Sequence, residues 1–77
     1  LITSRQADIL RLLAKNIGNV VSKEMIQEAV WGTMSYANSL AVNVQMTYLR
    51  HALQHDATVN IESLKKKGYV LSVISPE

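Results

Sequence analysis

Three consecutive lysines, Lys65, Lys66 and Lys67, are the residues whose types and spacing point most clearly to a chemistry. They stand between two runs of alternating apolar residues, IESL and YVLSVIS, directly before Gly68 and Tyr69. Adjacent ammonium groups attract polyanions, and lysine is a common phosphate ligand. A solvated turn without a partner is the alternative interpretation of the same cluster.

A second group of side chains suited to a polyanion lies in residues 40–53. The amides of Asn43 and Gln45 can hydrogen-bond base edges, and Val44 can pack on a thymine methyl group. Arg50 can hold a phosphate. This segment contains one Arg and no Asp or Glu, so no carboxylate on it would repel a polyanion.

Residues 40–53 are predicted to form a helix with two apolar lines at 100° per residue. The line predicted to face the core contains Val42, Met46, Leu49 and Leu53. The opposite line contains Leu40, Val44, Thr47, Tyr48 and His51. Because that second line carries apolar, hydroxyl and aromatic groups and no carboxylate, we expect something other than water to contact it. A second contact inside the protein is the alternative.

The segment TSRQADILRLLAKNIG predicts a first helix, capped by Thr3 with Gln6 and ending near Gly18. Its predicted buried stripe follows the i, i+3, i+4, i+7 rule and contains Ala7, Leu10, Leu13, Ala14 and Ile17. Ile9 and Leu12 fall outside that stripe. The helix is therefore apolar on more than one side, which indicates that two of its sides are covered.

The remaining elements follow from short local signals. NVVS predicts a short strand, after which Ser22 caps a second helix from about Lys23 to Trp31. Residues 32–38 have loop composition, and Asn38 or Ser39 is predicted to cap the third helix. The predicted order is helix, short strand, helix, loop, helix and β-hairpin, which is an α+β fold.

Length and composition restrict the possible classes of protein. A chain of 77 residues forms one domain, here residues 1–77, and 48% apolar residues argue against disorder. The net charge of +2 is small, so basic residues matter only where they cluster. There is no cysteine, hence no disulfide, thiolate nucleophile or cysteine zinc site. No apolar run reaches the roughly 18 residues of a membrane span.

The chain resembles the DNA-binding output domains of the OmpR/PhoB family of bacterial transcription regulators, which are winged helix-turn-helix domains. LITSRQADILRLLAKNIGNVVSKEMIQEAVWG is similar to the family's first two helices, AVNVQMTYLRHAL to its recognition helix, and IESLKKKGYVL to its wing. The lysine-rich turn looks closer to the membrane-tethered ToxR/CadC-like branch than to the response regulators. The family's amino-terminal four-stranded sheet has no counterpart in this sequence.

The resemblance implies sequence-specific binding of double-stranded DNA, with the recognition helix, about residues 40–53, in the major groove and the wing, residues 64–69, on the backbone or minor groove. The implied base-reading residues are Asn43, Val44, Thr47 and Tyr48. The implied backbone contacts are Trp31, Gln45, Arg50, Lys65, Lys66 and Lys67. Packing is an equally good interpretation of Trp31, and Tyr69 is expected to anchor the wing in the core.

Many members of the family carry Arg at the positions of Thr47 and Tyr48. With fewer cations, we expect one isolated domain to bind weakly and with a shallow salt dependence. The resemblance also implies a candidate contact of Met34 and Tyr36 with RNA polymerase, although loop packing explains those residues equally well. It further implies head-to-tail pairing on DNA and a bacterial cytoplasmic location, at the inner face of the membrane if the parent protein is tethered.

Three other functions are alternatives to DNA binding. His51 and His55 are spaced i, i+4 beside Asp56, but no further ligand is visible, so we expect no metal and no cofactor. No glycine-rich phosphate loop, catalytic triad or carboxylate pair indicates an enzyme or a small-molecule substrate. A winged-helix module that binds another protein through the apolar outer face of the third helix is the stronger alternative.

Overall fold

The computed structural model describes residues 2–73. In chain order the elements are α1 (Ser4–Lys15), α2 (Lys23–Ile26) with a π-helical turn (Gln27–Trp31) directly after it, α3 (Tyr36–Leu53), β1 (Val59–Leu64) and β2 (Gly68–Val73). This order confirms the prediction of three helices followed by a hairpin.

The capping box predicted for α1 is present. The Thr3 hydroxyl accepts a hydrogen bond from the Gln6 backbone N–H at 3.2 Å, and the Thr3 N–H donates to Gln6 Oε1 at 3.1 Å. The helix ends at Lys15 rather than at Gly18, and the Asn16 side chain donates to the carbonyl of Leu12 at 2.9 Å. Side-chain competition for the last carbonyls is a common way to end a helix.

The buried face of α1 differs from the predicted stripe. Ile9 and Leu13 are fully buried, whereas Ala14 is exposed and Ile17, beyond the end of the helix, is 50% exposed. The predicted stripe was therefore wrong for Ala14 and Ile17, whereas the burial of Ile9, outside that stripe, agrees with the expectation that more than one side of the helix is covered. An apolar surface this wide allows more than one stripe, and packing against the other elements selects among them.

The start of α3 also differs from the prediction. The helix begins at Tyr36, because the Ser35 hydroxyl, rather than Asn38 or Ser39, caps it by accepting from the Asn38 N–H at 3.0 Å. The buried side chain of Gln27 accepts a hydrogen bond from the Ser35 N–H at 3.0 Å. This link between the end of the second helical segment and the start of α3 fixes the cap position.

The two strands form an antiparallel hairpin with Val59 paired to Val73 and Leu64 paired to Gly68. The turn of Lys65, Lys66 and Lys67 is closed by a hydrogen bond from the Lys67 N–H to the Leu64 carbonyl at 3.0 Å. The hairpin is therefore the predicted wing. Ile74 and Ser75, the last residues of the second predicted strand, lie outside the described residues.

The core lies between α1, the inner line of α3 and the hairpin. Its buried apolar residues are Ile9, Leu13, Val21, Ile26, Val42, Met46, Leu49, Ile61, Tyr69 and Leu71. The predicted core line of α3 is thus confirmed, with Leu53 partly buried at its end. Packing α3 on this line directs the opposite side of the helix away from the protein.

Candidate nucleic-acid interface

The outer line of α3 is open to solvent. Leu40, Val44 and Tyr48 are 47%, 49% and 58% exposed, and Thr47 and His51 are exposed as well. The alternative of a second interior contact is therefore wrong for this line among residues 2–73. The Thr47 hydroxyl donates to the Asn43 carbonyl at 3.0 Å, which holds its side chain close to the helix.

The lysine turn lies beside α3. Asn43 of the helix and all three lysines of the turn line one cleft, together with Tyr69 and the start of α2 at Lys23 and Glu24. The outer side of the helix and the cationic turn therefore border one another. This is the arrangement that contact with a single duplex requires.

Tyr69 connects the wing to the rest of this surface. Its ring is buried at 8% exposure, its backbone exchanges two hydrogen bonds with Val21, and its hydroxyl donates to Asn43 Oδ1 at 3.2 Å. The predicted role as a wing anchor is confirmed. Burial raises the pKa of Tyr69, and the Arg50 guanidinium opposes part of that rise. The phenol is therefore protonated at neutral pH and can act as the donor.

Gly68 allows this close packing. A Cβ atom at this position would lie 2.1 Å from the Val21 carbonyl oxygen, and the backbone has a φ of 141°. Any larger residue would push β2 away from Val21. The short strand predicted from NVVS is thus present as one bridge, Val21 with Tyr69, that joins the wing to the connection between α1 and α2.

Lys66, at the tip of the turn, has a φ of 66°. This left-handed conformation is uncommon for lysine and easier for Gly or Asn. The structure therefore holds an ammonium group at a position where the backbone favours a different residue. Backbone strain of this kind is often found at functional sites.

The residues predicted to contact the DNA backbone fall into two groups. Arg50 is exposed, as are the three lysines. Within residues 2–73 the only ion pair joins Arg11 to Asp8 on α1, so none of these four cations forms an ion pair there, although Glu24 lines the same cleft as the lysines. Gln45 is half-buried and accepts a hydrogen bond from Gln6 Nε2 at 3.1 Å. The amide oxygen of Gln45 therefore faces α1. A contact between Gln45 and a DNA phosphate stays a prediction.

Trp31 is half-buried and packs against the core, which confirms its packing role. The guanidinium of Arg5 lies 4.7 Å from the centroid of its ring and donates to the Val30 carbonyl at 2.8 Å. Arg5 therefore brings a cation to a position predicted to lie near the DNA backbone. The sequence contains no signal for this contact, because the two residues are far apart in the chain and only folding brings them together.

The candidate polymerase contacts lie at the start of α3. Met34 is 53% exposed, and Tyr36, the first residue of the helix, is 81% exposed. Both are thus accessible, and their partner stays a prediction. Across the described range, no three His, Cys, Asp or Glu residues are grouped so that they could hold a metal ion. In the same range, no helix is both long and apolar enough to span a bilayer.

Comparison with known proteins agrees with this geometry. The family model described as "Transcriptional regulatory protein, C terminal" matches residues 1–71. The response regulator ArlR of Staphylococcus aureus is 37% identical over 71 residues, which cover 91% of this chain and 32% of ArlR. The chain thus spans about a third of the length of the curated relatives it matches.

Solved structures share the fold. The DNA-binding domain of Escherichia coli CadC is 27% identical with a TM-score of 0.77, and the match covers 97% of this chain and 70% of that domain. The Klebsiella pneumoniae RstA DNA-binding domain, solved in complex with the RstA box, is 23% identical with a TM-score of 0.80 and coverage of 94% and 73%. The chain therefore belongs to the family of transcriptional regulatory protein C-terminal domains, the winged-helix domains of the OmpR/PhoB type.

Proposed function

We propose that this domain binds double-stranded DNA with sequence preference, as the output domain of a bacterial transcription regulator. α3 enters the major groove, and the lysine turn contacts backbone phosphates or the adjacent minor groove. The observation that carries the proposal is the cleft shared by Asn43 and the three lysines, next to a helix side that is exposed and free of carboxylates.

The side chains divide into base contacts and backbone contacts. Asn43, Val44, Thr47 and Tyr48 are proposed to contact base edges, and all four are exposed on α3. The residues proposed to contact phosphates are Arg50, Gln45, the three lysines and the Trp31–Arg5 pair. Phosphate contacts supply affinity and register, and base contacts supply sequence preference. The fold shared with the RstA DNA-binding domain, solved in complex with the RstA box, supports DNA binding by a domain of this shape.

The parent protein is proposed to be a bacterial cytoplasmic regulator rather than an enzyme. Its partners beyond DNA are RNA polymerase, through Met34 and Tyr36, and a second copy bound head-to-tail on DNA. The turn sequence favours a parent of the ToxR/CadC type, tethered at the inner face of the membrane.

The test is selection of bound duplexes from a random library, followed by titration of the selected duplex at two salt concentrations. We expect one enriched motif and an affinity that falls as salt rises. Replacing Lys65, Lys66 and Lys67 together with Glu should abolish binding. No enriched motif, or binding that neither salt nor the triple replacement changes, would instead favour a protein-binding module that uses Leu40, Val44 and Tyr48.

A further inference from the structure

The side chain of Asn43 is constrained from one side. Asn43 is exposed on α3, and its Oδ1 accepts the hydrogen bond from the Tyr69 hydroxyl at 3.2 Å. Within residues 2–73 the Asn43 side chain makes its hydrogen bond through Oδ1, and Nδ2 has no acceptor there. The amide oxygen therefore faces the wing, and the amide nitrogen is left with two free N–H donors.

The hydroxyl that constrains Asn43 is itself rigidly placed. The Tyr69 ring is buried, and the residue's backbone is bound to Val21 at 2.8 and 2.9 Å. At Gly68 the strand lies so close to this segment that a Cβ atom would be 2.1 Å from the Val21 carbonyl oxygen. The phenol oxygen thus has a fixed position relative to α3. A group that orients another side chain must itself be held in place in this way.

We infer that Tyr69 is a positioning residue that makes Asn43 a hydrogen-bond donor toward DNA and so sets its base preference. This inference rests on the proposed function. A free Asn contacts adenine with both amide atoms, accepting from N6 and donating to N7. The hydrogen bond from Tyr69 occupies one lone pair of Oδ1 and turns this oxygen toward the wing, so the two N–H donors of Asn43 are directed away from Tyr69. These donors favour guanine, whose N7 and O6 are both acceptors, or thymine through O4. They are less suited to adenine, where an N6–H donor stands beside the N7 acceptor, and they reject cytosine, which offers only a donor.

The test compares duplexes selected by the wild-type protein with those selected by Tyr69→Phe, which keeps the ring and removes the hydroxyl. Ser72→Ala is the matched control, because the Ser72 hydroxyl also belongs to β2 but donates to the Asn60 carbonyl within the hairpin. We expect Tyr69→Phe to change one position of the motif, with adenine gaining roughly tenfold relative to guanine or thymine. Affinity for random duplexes should not change.

A double-mutant comparison assigns the change to Asn43. In an Asn43→Ala background, Tyr69→Phe should have no further effect on base preference. If wild type and Tyr69→Phe enrich the same motif with equal preferences, the inference is wrong while the proposed function stands. If the wild-type protein enriches no motif, the proposed function itself fails and the inference with it.

A second readout needs no DNA. The 13C shift of the Asn43 side-chain carbonyl reports whether its oxygen accepts a hydrogen bond. It should move in Tyr69→Phe and stay in place in Ser72→Ala, with the surrounding core signals unchanged. An unchanged Asn43 carbonyl signal in a folded Tyr69→Phe protein would overturn the inference regardless of the selection result.

Discussion

Val21 and Tyr69 exchange both of their backbone hydrogen bonds, at 2.8 Å from the Val21 N–H and 2.9 Å from the Tyr69 N–H. A third bond, from the Gly18 N–H to the Leu71 carbonyl at 2.9 Å, extends the contact along β2. The wing is therefore fastened to the connection between α1 and α2 and cannot swing independently of the helices. Its position beside α3 is set by the fold before any partner arrives.

Gly68→Ala should strongly destabilise the protein. The added Cβ would lie 2.1 Å from the Val21 carbonyl oxygen, and the φ of 141° is unfavourable for alanine. We expect a loss of at least about 2 kcal/mol in the free energy of unfolding, measured by denaturant titration. Gly32→Ala is the control, because φ is 81° there but no atom lies within 4 Å. Equal costs for the two substitutions would contradict this account of Gly68.

The two sides of α3 should respond differently to truncation. Leu49 is fully buried, whereas Leu40 is 47% exposed. Leu49→Ala should cost about 2–5 kcal/mol because it leaves a cavity in the core. Leu40→Ala should change the free energy of unfolding by no more than about 0.5 kcal/mol. A large cost at Leu40 in thermal or denaturant unfolding would mean that the outer line is packed.

Lys66→Asn should separate stability from binding. Asn tolerates the left-handed backbone that Lys66 adopts at a φ of 66°, so the free energy of unfolding should stay the same or rise. DNA affinity should fall, and the slope of log K against log salt should become shallower by about 0.9, one phosphate contact. Lys15→Gln removes a charge at the end of α1 and should leave the slope unchanged. If Lys66→Asn binds DNA as the wild-type protein does, the lysine turn is not part of the DNA interface.

Asp56 should titrate below its ordinary pKa of 3.8. Its carboxylate accepts hydrogen bonds from the Thr58 hydroxyl at 2.6 Å and the Thr58 N–H at 3.0 Å, and both lower the pKa of Asp56. Because the folded pKa is depressed, the stabilisation is present above about pH 3.8 and is lost as pH falls through the folded pKa. Thr58→Ala should raise the pKa of Asp56 toward 3.8 in an NMR titration. Thr33→Ala should leave it unchanged.

The inner line of α3 and the wing could be predicted from the sequence because each has a strong local signal. Val42, Met46 and Leu49 repeat at helical spacing with no competing stripe of equal strength. The hairpin combines two alternating runs with a charged turn before Gly68. These two elements carry most of the proposed interface.

Features that depend on contacts distant in the chain could not be predicted. Ser35, Asn38 and Ser39 are all good caps, and only the hydrogen bond from Ser35 to Gln27 selects among them. α1 has more than one apolar stripe, and tertiary packing buries the stripe that contains Ile9. The Asn43–Tyr69 hydrogen bond joins residues 26 positions apart, and no sequence pattern marks it.

The central claim is that the outer side of α3 and the lysine turn contact the same duplex. The most direct measurement is an NMR titration of the protein with a duplex chosen by the selection experiment, following the backbone amides. We predict that Val44, Thr47 and Tyr48 and the amides of residues 65–67 shift together, with one dissociation constant. Shifts confined to one of these two segments, or centred on α1, would contradict the account.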